Sequence, residues 1–326
     1  MTWRFQRFCG GDWFNSGVYR PFILFVVAAA LRAAAPCPMP QNVSSGATLV
    51  DFANRFLGNS NYAISIALAT NARTADGFSY ISNPDDIKNA TRVCIPGKSE
   101  ARELRKNWST YERAVDTARL PRISAIDPAL VTIPPDQPVN VVSWMRKDQV
   151  GRLKTAPGDW VKTAPAETWV TVEPNLRQFC QAFAHDHHPD EAKLTQRLEQ
   201  RLGLSPSSSK TDFVRMRLDH PGPDTIFRPC VDSAVDHASC SVGPPPATPQ
   251  DLQQWFNQQY YSSYGQSLIS ESPWTGLGYT FDWANAPGKQ PPFQRFGESE
   301  FVIRKDAPIE ILEVLTTAQY CYAGAR

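Results

Sequence analysis

The chain lacks an excess of charge of either sign. Its 326 residues include 33 Lys and Arg against 32 Asp and Glu, which gives a formal net charge of +1. A basic field is typical of proteins that bind nucleic acid, and an acidic field favours cationic substrates. The overall charge therefore predicts no nucleic-acid partner, and any ligand has to be recognised through local chemistry.

The apolar run near the N-terminus is too short for a transmembrane helix. PFILFVVAAAL at 21–31 has about half of the roughly 20 residues that such a helix needs. Three arginines precede it, and small residues follow at 33–35, which is the order of a secretory signal. We predict a signal peptide over 1–35, export to a periplasmic or extracellular, cell-wall-associated location, and no stable membrane span after signal removal. An uncleaved N-terminal anchor is the alternative.

Cysteine pairs with metal-site spacing are also missing. The sequence has no Cys-x-x-Cys, and removal of 1–35 leaves an even set of six cysteines. In an exported chain such a set predicts up to three disulfides, without fixing their pairing. Cys230 and Cys240 flank a short polar loop and are the expected pair. Six reduced, buried thiols are the alternative if the chain is not exported.

The common catalytic motifs are absent from the sequence as well. It contains no nucleotide-binding glycine loop, no Gly-x-Ser-x-Gly and no His-Glu-x-x-His. HDHH at 185–188 has metal-ligating side chains, but they share one connector between helices, where a solvated cluster is the more common outcome. We therefore predict no metal site, and the sequence leaves enzymatic and non-enzymatic functions both open.

Residues 46–96 have the pattern of a small βααβ unit. Apolar residues over 49–56 have helical spacing, and Gly58 is a natural end for that helix. NYAISIALATNA at 61–72 predicts a second helix, and RVCIP at 92–96 predicts a strand that stops at a proline. Strand, helix, helix and strand are thus expected within about fifty residues.

This unit resembles a LysM module, a domain that binds the N-acetylglucosamine backbone of peptidoglycan or chitin. The matching stretches are GATL at 46–49, FANRF at 52–56 and IKNATRVCIP at 87–96, while the second loop is longer than usual. The resemblance implies a LysM-like module over 43–97, with glycan held between the loop after the first strand and the loop after the second helix. The glycan-binding residues that it implies are Thr48, Leu49, Asn71 and Ala72. A LysM-like fold that serves as a structural or protein-binding module is the alternative.

The remaining chain predicts a linker region over 98–139 and a larger, disulfide-supported α+β domain over 140–326. Helix formers occupy 99–120, and a Pro-punctuated stretch follows. The domain is expected to contain strands at 139–145 and 212–220, an extended stretch or two over 159–172, and helices near 174–183, 190–203 and 248–265. It is expected to close with a β-hairpin through RKDAP at 304–308, in which Phe301 and Ile303 share one face and Val302 has the other. The predicted fold class is α+β.

The domain also resembles, over three short stretches, ADP-ribosyltransferases of the Arg–Ser–Glu class. FRP at 227–229, GYTFDW at 278–283 and ESE at 298–300 occur in the family's order. In that family an early strand supplies an Arg for the NAD phosphate and ribose, a middle strand a Ser or Thr, and a late strand the Glu that binds the ribose hydroxyl. The resemblance implies Arg228, Thr280 and Glu300 as catalytic residues and NAD as cofactor, with Arg215 or Arg217 as other choices for the arginine. The alternative for the Glu-x-Glu pair is solvated charge at the end of a strand.

The aromatic residues between 258 and 284 allow two interpretations. Rings interleaved with Gln and Ser are typical of a carbohydrate groove, and the same rings can pack a core. Trp274 and Trp283, in loop-like sequence, are the ones expected at the surface. We predict an exported cell-envelope protein that binds peptidoglycan-type glycan through the LysM-like module and has a C-terminal binding domain for an unidentified ligand, without a cofactor. An exported, NAD-using ADP-ribosyltransferase-like enzyme is the alternative.

Overall fold

A computed structural model describes residues 36–135, 137–153, 161–243, 250–265, 273–284 and 296–322. The predicted signal peptide over 1–35 lies outside them. Helices and antiparallel sheets occur together, which confirms the α+β class. In the described part of the chain, no helix is both long enough and apolar enough to cross a membrane.

The N-terminal unit has a strand, two helices and a strand in that order. Strand β1 (Met39–Asn42) pairs antiparallel with β2 (Arg92–Ile95), so the first strand lies upstream of GATL. Helix α1 (Leu49–Phe52) continues as a π-helical turn to Leu57 and ends at Gly58, whose φ of 75° is a left-handed conformation that favours glycine. Helix α2 (Ala63–Asn71) follows a short 3₁₀ turn.

The segment expected as a linker contains one long helix, α3 (Lys98–Ala118), which packs at both of its ends. Near its start, Ala101 is fully buried and its carbonyl oxygen accepts a 2.8 Å hydrogen bond from Ser65 Oγ of α2. Further along, the Tyr111 ring meets the Trp283 ring edge to face at 5.6 Å. Helix α3 therefore joins the N-terminal unit to the larger domain through buried contacts.

The larger domain is built on an eight-stranded antiparallel sheet. Its main path runs β4–β10–β6–β3–β5–β9–β7, and β8 pairs with β9 beside that path. The strands are β3 (Val139–Met145), β4 (Val161–Thr163), β5 (Thr168–Val172), β6 (Asp212–Leu218), β7 (Ile226–Phe227), β8 (Tyr279–Phe281), β9 (Phe296–Ile303) and β10 (Pro308–Thr316). The helices are α4 (Lys147–Leu153), α5 (Asn175–His187), α6 (Glu191–Arg201), α7 (Gln250–Tyr264) and α8 (Thr317–Tyr322).

The predicted hairpin through RKDAP is wrong, because β9 and β10 do not pair with each other. Strand β9 pairs with β5, and β10 pairs with β4. The connection is a corner: the Asp306 amide donates to the Ala164 carbonyl at 2.8 Å, and the Ala164 amide donates to the Ala307 carbonyl at 2.9 Å. The β5·β9 ribbon thus bends and continues as β4·β10, so the sheet is rolled, as where strands change sheets at a corner.

The two faces of the rolled sheet carry different clusters. The main core includes Val141, Met216, Phe301 and Ile303. Val142, Trp144 and Phe213 point to the opposite face, where they pack with apolar residues of α5, α6 and α8. This alternation confirms that Phe301 and Ile303 share a face.

Three disulfides fasten the fold, as predicted for an exported chain. They join Cys37 to Cys94, Cys180 to Cys321 and Cys230 to Cys240. The expected pairing of Cys230 with Cys240 is confirmed. Disulfides of this number are typical of proteins from oxidising compartments, so they support export.

Candidate functional site

A cavity of about 430 Å³ lies beside the large sheet and is lined by residues of three of its central strands. Residues of β3, β5 and β9 line it, together with residues of the segment 202–210 and Trp274. Apolar side chains, including indole rings, and a similar number of polar side chains together form its wall, a composition that favours a ligand with both apolar and polar parts.

Three strands that are consecutive in the sheet place an arginine, a threonine and a glutamate in the lining of this cavity. Arg146 directly follows β3, Thr171 lies in β5, and Glu300 lies in β9. In the register of β5 and β9, Thr171 is directly opposite Glu300. An arginine, a hydroxyl and a carboxyl therefore line one cavity in that order along the chain.

Glu300 is a buried carboxyl with an unsatisfied oxygen. Its exposed fraction is 7%, and its Oε2 has no hydrogen-bond partner. Burial raises the pKa of Glu300 to about 8. At neutral pH the carboxyl is therefore mostly protonated, and it can donate one hydrogen bond to a ligand as well as accept one.

Other unsatisfied polar atoms belong to the same cavity. Among the described residues, five buried side-chain polar atoms have no partner, and four of them belong to residues that line the cavity. They are Thr171 Oγ1, Ser208 Oγ, Trp274 Nε1 and Glu300 Oε2. Buried polar groups are nearly always hydrogen-bonded, so a cluster of exceptions indicates a place where a ligand or solvent completes the bonding.

Positive charge lies in the same wall. Arg146 is partly exposed and is oriented by Asp148, whose Oδ1 is 3.1 Å from its Nε. Lys210 Nζ donates a 2.9 Å hydrogen bond to the Trp144 carbonyl, and burial, together with the charge of Arg146, lowers the pKa of Lys210 to about 8. The guanidinium of Arg146 and the ammonium of Lys210 suit an anionic part of a ligand, such as a phosphate.

Of the three catalytic residues predicted from the sequence, the structure brings Thr280 and Glu300 to the cavity and places Arg228 elsewhere. Arg228 is fully buried, and its Nη2 donates to the carbonyls of Val131 (2.7 Å) and His237 (2.9 Å). Its guanidinium lies 4.6 Å from the ring of Phe301, which points away from the cavity into the main core. Arg228 therefore has a structural role on the other side of β9.

Thr280 and the first glutamate of the Glu-x-Glu pair have internal partners. Thr280 Oγ1 donates to the Arg201 carbonyl at 2.8 Å and accepts from the Glu298 amide at 2.8 Å. The Glu298 carboxylate is buried and forms an ion pair with Arg201 at 2.7 Å. Glu298 thus holds α6 to β9, and Glu300 is the carboxyl of the pair that lines the cavity.

The four predicted glycan-binding residues are divided between core and surface. Leu49 and Asn71 are buried, and the Asn71 side chain bonds both the amide (2.7 Å) and the carbonyl (2.9 Å) of Ile81. Thr48 caps α1 and exchanges hydrogen bonds with Asp51, while Ala72 is exposed. Thr48 and Ala72 are therefore the members of the set that solvent, and so a glycan, can reach.

Two further sequence expectations, about two tryptophans and about the histidine cluster, have clear outcomes. Trp274 and Trp283, expected at the surface, have exposed fractions of 4% and 1%, so that expectation is wrong. The histidines of HDHH are exposed, and His185 Nδ1 is 2.9 Å from Asp186 Oδ1. No group of three or more possible metal ligands occurs within the described ranges.

Sequence reasoning missed Arg146 and Thr171. Each follows or lies in a correctly predicted strand, VNVVSWM for Arg146 and the extended stretch that contains TWVTV for Thr171. The alternation of TWVTV indicates which side Thr171 faces, but the pairing of β3 with β5 and of β5 with β9 is a long-range property. Without that pairing, no local signal links them to Glu300.

Comparison with protein-family models, with curated proteins and with solved structures finds no match for this chain. The argument for function therefore rests on the chemistry of the cavity. It combines a neutral buried carboxyl and a hydroxyl with cationic side chains and indole rings. Such a set suits a ligand that has hydroxyl groups, an anionic part and a flat ring.

Proposed function

We propose that this chain is an exported, NAD-using enzyme that breaks the bond between nicotinamide and ribose, as ADP-ribosyltransferases do. The observation that carries the proposal is that Arg146, directly after β3, and Thr171 and Glu300, on the next two strands of the sheet, line one cavity. This is the order of arginine, hydroxyl and glutamate along the chain that the resemblance implies. Three disulfides support the exported location.

NAD matches the chemistry of the cavity part by part. Its diphosphate is suited to Arg146 and Lys210, and its ribose hydroxyls are suited to Glu300 and Thr171. The half-buried ring of Trp169, which also lines the cavity, offers a stacking surface for a flat heterocycle. This assignment replaces Arg228 by Arg146 and adds Thr171 to the residues expected from the sequence.

Glu300 is the residue expected to act on the reacting atoms. When the bond between nicotinamide and ribose breaks, the electron pair of that bond leaves with nicotinamide, which becomes neutral. Positive charge then develops on the ribose carbon that had held the nicotinamide. An ionised Glu300 that binds the ribose hydroxyl stabilises this charge in a site with little competing solvent. Water or an acceptor nucleophile then bonds to the ribose carbon and loses a proton to solvent.

The direct test is release of nicotinamide from NAD, followed by chromatography, with the disulfide-bonded protein. Wild type should release nicotinamide, and Glu300→Gln should reduce the rate by at least about a hundredfold, since it removes the charge and keeps the shape. Glu310→Gln is the matched control, because Glu310 lies on β10 outside the cavity lining. Absence of release by wild type, or equal rates for wild type and Glu300→Gln, would contradict the proposal.

A second function, glycan binding by the LysM-like module, is favoured by the βααβ order and by the antiparallel pairing of its two strands. Thr48 and Ala72 are its exposed candidate contacts. The protein should sediment with purified peptidoglycan sacculi or chitin, chitooligosaccharide should compete, and Ala72→Arg should weaken the binding. If wild type stays in the supernatant, the module does not bind glycan, whatever the cavity binds.

A further inference from the structure

We propose that Tyr80 is a positioning residue of the cavity, so that the second loop of the LysM-like module (residues 72–91) is one of the cavity's walls. Tyr80 belongs to that loop and lines the cavity beside Arg146 and Ser205. The module is therefore part of the ligand site of the larger domain. The choice of NAD and ADP-ribose as ligands rests on the proposed function, whereas the position of the loop 72–91 in the cavity wall does not.

Tyr80 contacts Arg146, which also has a carboxylate partner. The guanidinium carbon of Arg146 is 5.9 Å from the centre of the Tyr80 ring, within the range of a cation–π contact. Asp148 bonds the same guanidinium at 3.1 Å. An arginine that already contacts a ring and a carboxylate has less rotamer freedom to lose when an anion binds it.

The loop is itself fixed on both sides of Tyr80. On the module side, Asn71 bonds both backbone groups of Ile81, the next residue. On the domain side, Tyr80 and Ser205 line the same cavity, and Ser209 Oγ donates to the Asn71 carbonyl at 2.6 Å. The loop and the segment 204–210 therefore support each other.

The segment 204–210 is in turn held by a buried carboxyl beneath it. Glu199 Oε1 accepts a 2.7 Å hydrogen bond from the Ser208 amide, and Glu199 is almost completely buried. Ser208 and Lys210 of this segment line the cavity. Displacement of the module's loop should therefore also shift the segment 204–210, and with it the position of Lys210 in the cavity wall.

Two consequences follow from a shared wall. A ligand in the cavity should protect the loop 72–91 from hydrogen exchange, because the bound state requires the loop in place. A change in the Tyr80 ring should weaken ligand binding even though the residue belongs to the module. By linkage, the free energy by which the ligand stabilises the ordered loop equals the free energy by which the ordered loop strengthens ligand binding.

The test compares two aromatic residues of the same loop. Phe78 is also buried and also has a guanidinium, that of Arg92, 4.7 Å from its ring, but it lies outside the cavity lining. Calorimetric titration with NAD and with ADP-ribose should give a Kd at least about tenfold higher for Tyr80→Leu than for wild type. Tyr80→Phe, which keeps the ring, should recover most of the affinity, and Phe78→Leu should lower the melting temperature and leave the Kd unchanged.

Hydrogen exchange separates this inference from the proposed function. If wild type binds neither NAD nor ADP-ribose, the proposed function fails, and the wall is tested in the ligand-free protein. There, Tyr80→Leu should speed amide exchange in 204–210, and Phe78→Leu should speed it only within 72–91. Equal exchange in 204–210 for both variants, or equal Kd values for both where ligand binds, would overturn the inference.

Discussion

Thr171 and Glu300 lie directly opposite each other on β5 and β9, and each has a buried side-chain oxygen without a partner. Side chains that face each other across an antiparallel pair have Cβ atoms about 5 Å apart. A hydroxyl and a carboxyl are thus presented side by side at the cavity, with unused hydrogen-bonding capacity. Unsatisfied polar groups reduce the stability of a fold, so their retention at a cavity indicates a binding role.

The first prediction is that Glu300→Gln stabilises the protein, and more so at higher pH. The pKa of Glu300 rises from an ordinary value of 4.5 to about 8 in the folded protein. Since the folded state binds this proton more tightly, its contribution to stability is complete below about pH 4.5 and is lost as the pH rises towards 8. The advantage of the variant in the free energy of unfolding should grow by up to about 3 kcal/mol between pH 4.5 and pH 7.

Urea denaturation at several pH values checks this prediction. Glu310→Gln serves as the control, and its difference from wild type should not change in the same way. A pH-independent difference between Glu300→Gln and wild type would show that Glu300 has an ordinary pKa and is not the buried neutral acid described above.

The second prediction concerns the pH profile of the proposed reaction. Glu300 must be ionised to stabilise positive charge on ribose, so kcat/KM should rise tenfold per pH unit below about pH 8. Above that pH, Lys210, whose pKa is lowered to about 8, loses the proton that suits it to the diphosphate. A bell-shaped profile with its maximum near pH 8 is expected, and Lys210→Arg should extend its alkaline side. A profile that is flat between pH 6 and pH 8 would contradict the role given to Glu300.

Local signals in the sequence predicted the elements well and their assembly poorly. The end of α1 at Gly58 and the alternation of Phe301 and Ile303 depend on neighbouring residues, and both are confirmed. The hairpin through RKDAP failed because two apolar strands joined by a short polar turn usually pair with each other. Here β9 and β10 pair instead with other strands, among them β5 and β4, which lie more than a hundred residues earlier, and the turn is a corner.

The candidate site was also only partly predictable from the sequence, because local patterns identify side chains and long-range packing brings them together. Glu300 was recognisable because it opens an apolar strand in a Glu-x-Glu pattern. Trp283 was expected at the surface because its neighbours suggest a loop, but Tyr111 of α3 covers it. Arg228 looked like a ligand-binding arginine in FRP, but backbone carbonyls surround its guanidinium. A sequence pattern identifies the type of side chain, while long-range packing decides what the side chain meets.

The third prediction is that Asn71→Ala destabilises the protein, although the LysM resemblance implies a role for Asn71 in glycan binding. The substitution leaves the buried amide and carbonyl of Ile81 without their partner, which should cost about 2 to 4 kcal/mol. Ala72→Ser, one residue later on the exposed side, should change the free energy of unfolding by less than about 0.5 kcal/mol. Equal stabilities in chemical denaturation would show that the bonds from Asn71 to Ile81 contribute little.

The fourth prediction ranks two of the disulfides by the length of chain that each one closes. Cys180–Cys321 has a sequence separation of 141 and ties α5 to α8, while Cys230–Cys240 has a separation of 10. A crosslink stabilises mainly by restricting the unfolded chain, which gives about 5 kcal/mol for the long loop and about 3 kcal/mol for the short one. Replacing both cysteines of each pair by alanine and measuring unfolding in urea should therefore show the larger loss for Cys180–Cys321. A larger loss for Cys230–Cys240 would mean that the short loop is needed in the folded state, where it supplies the His237 carbonyl to Arg228.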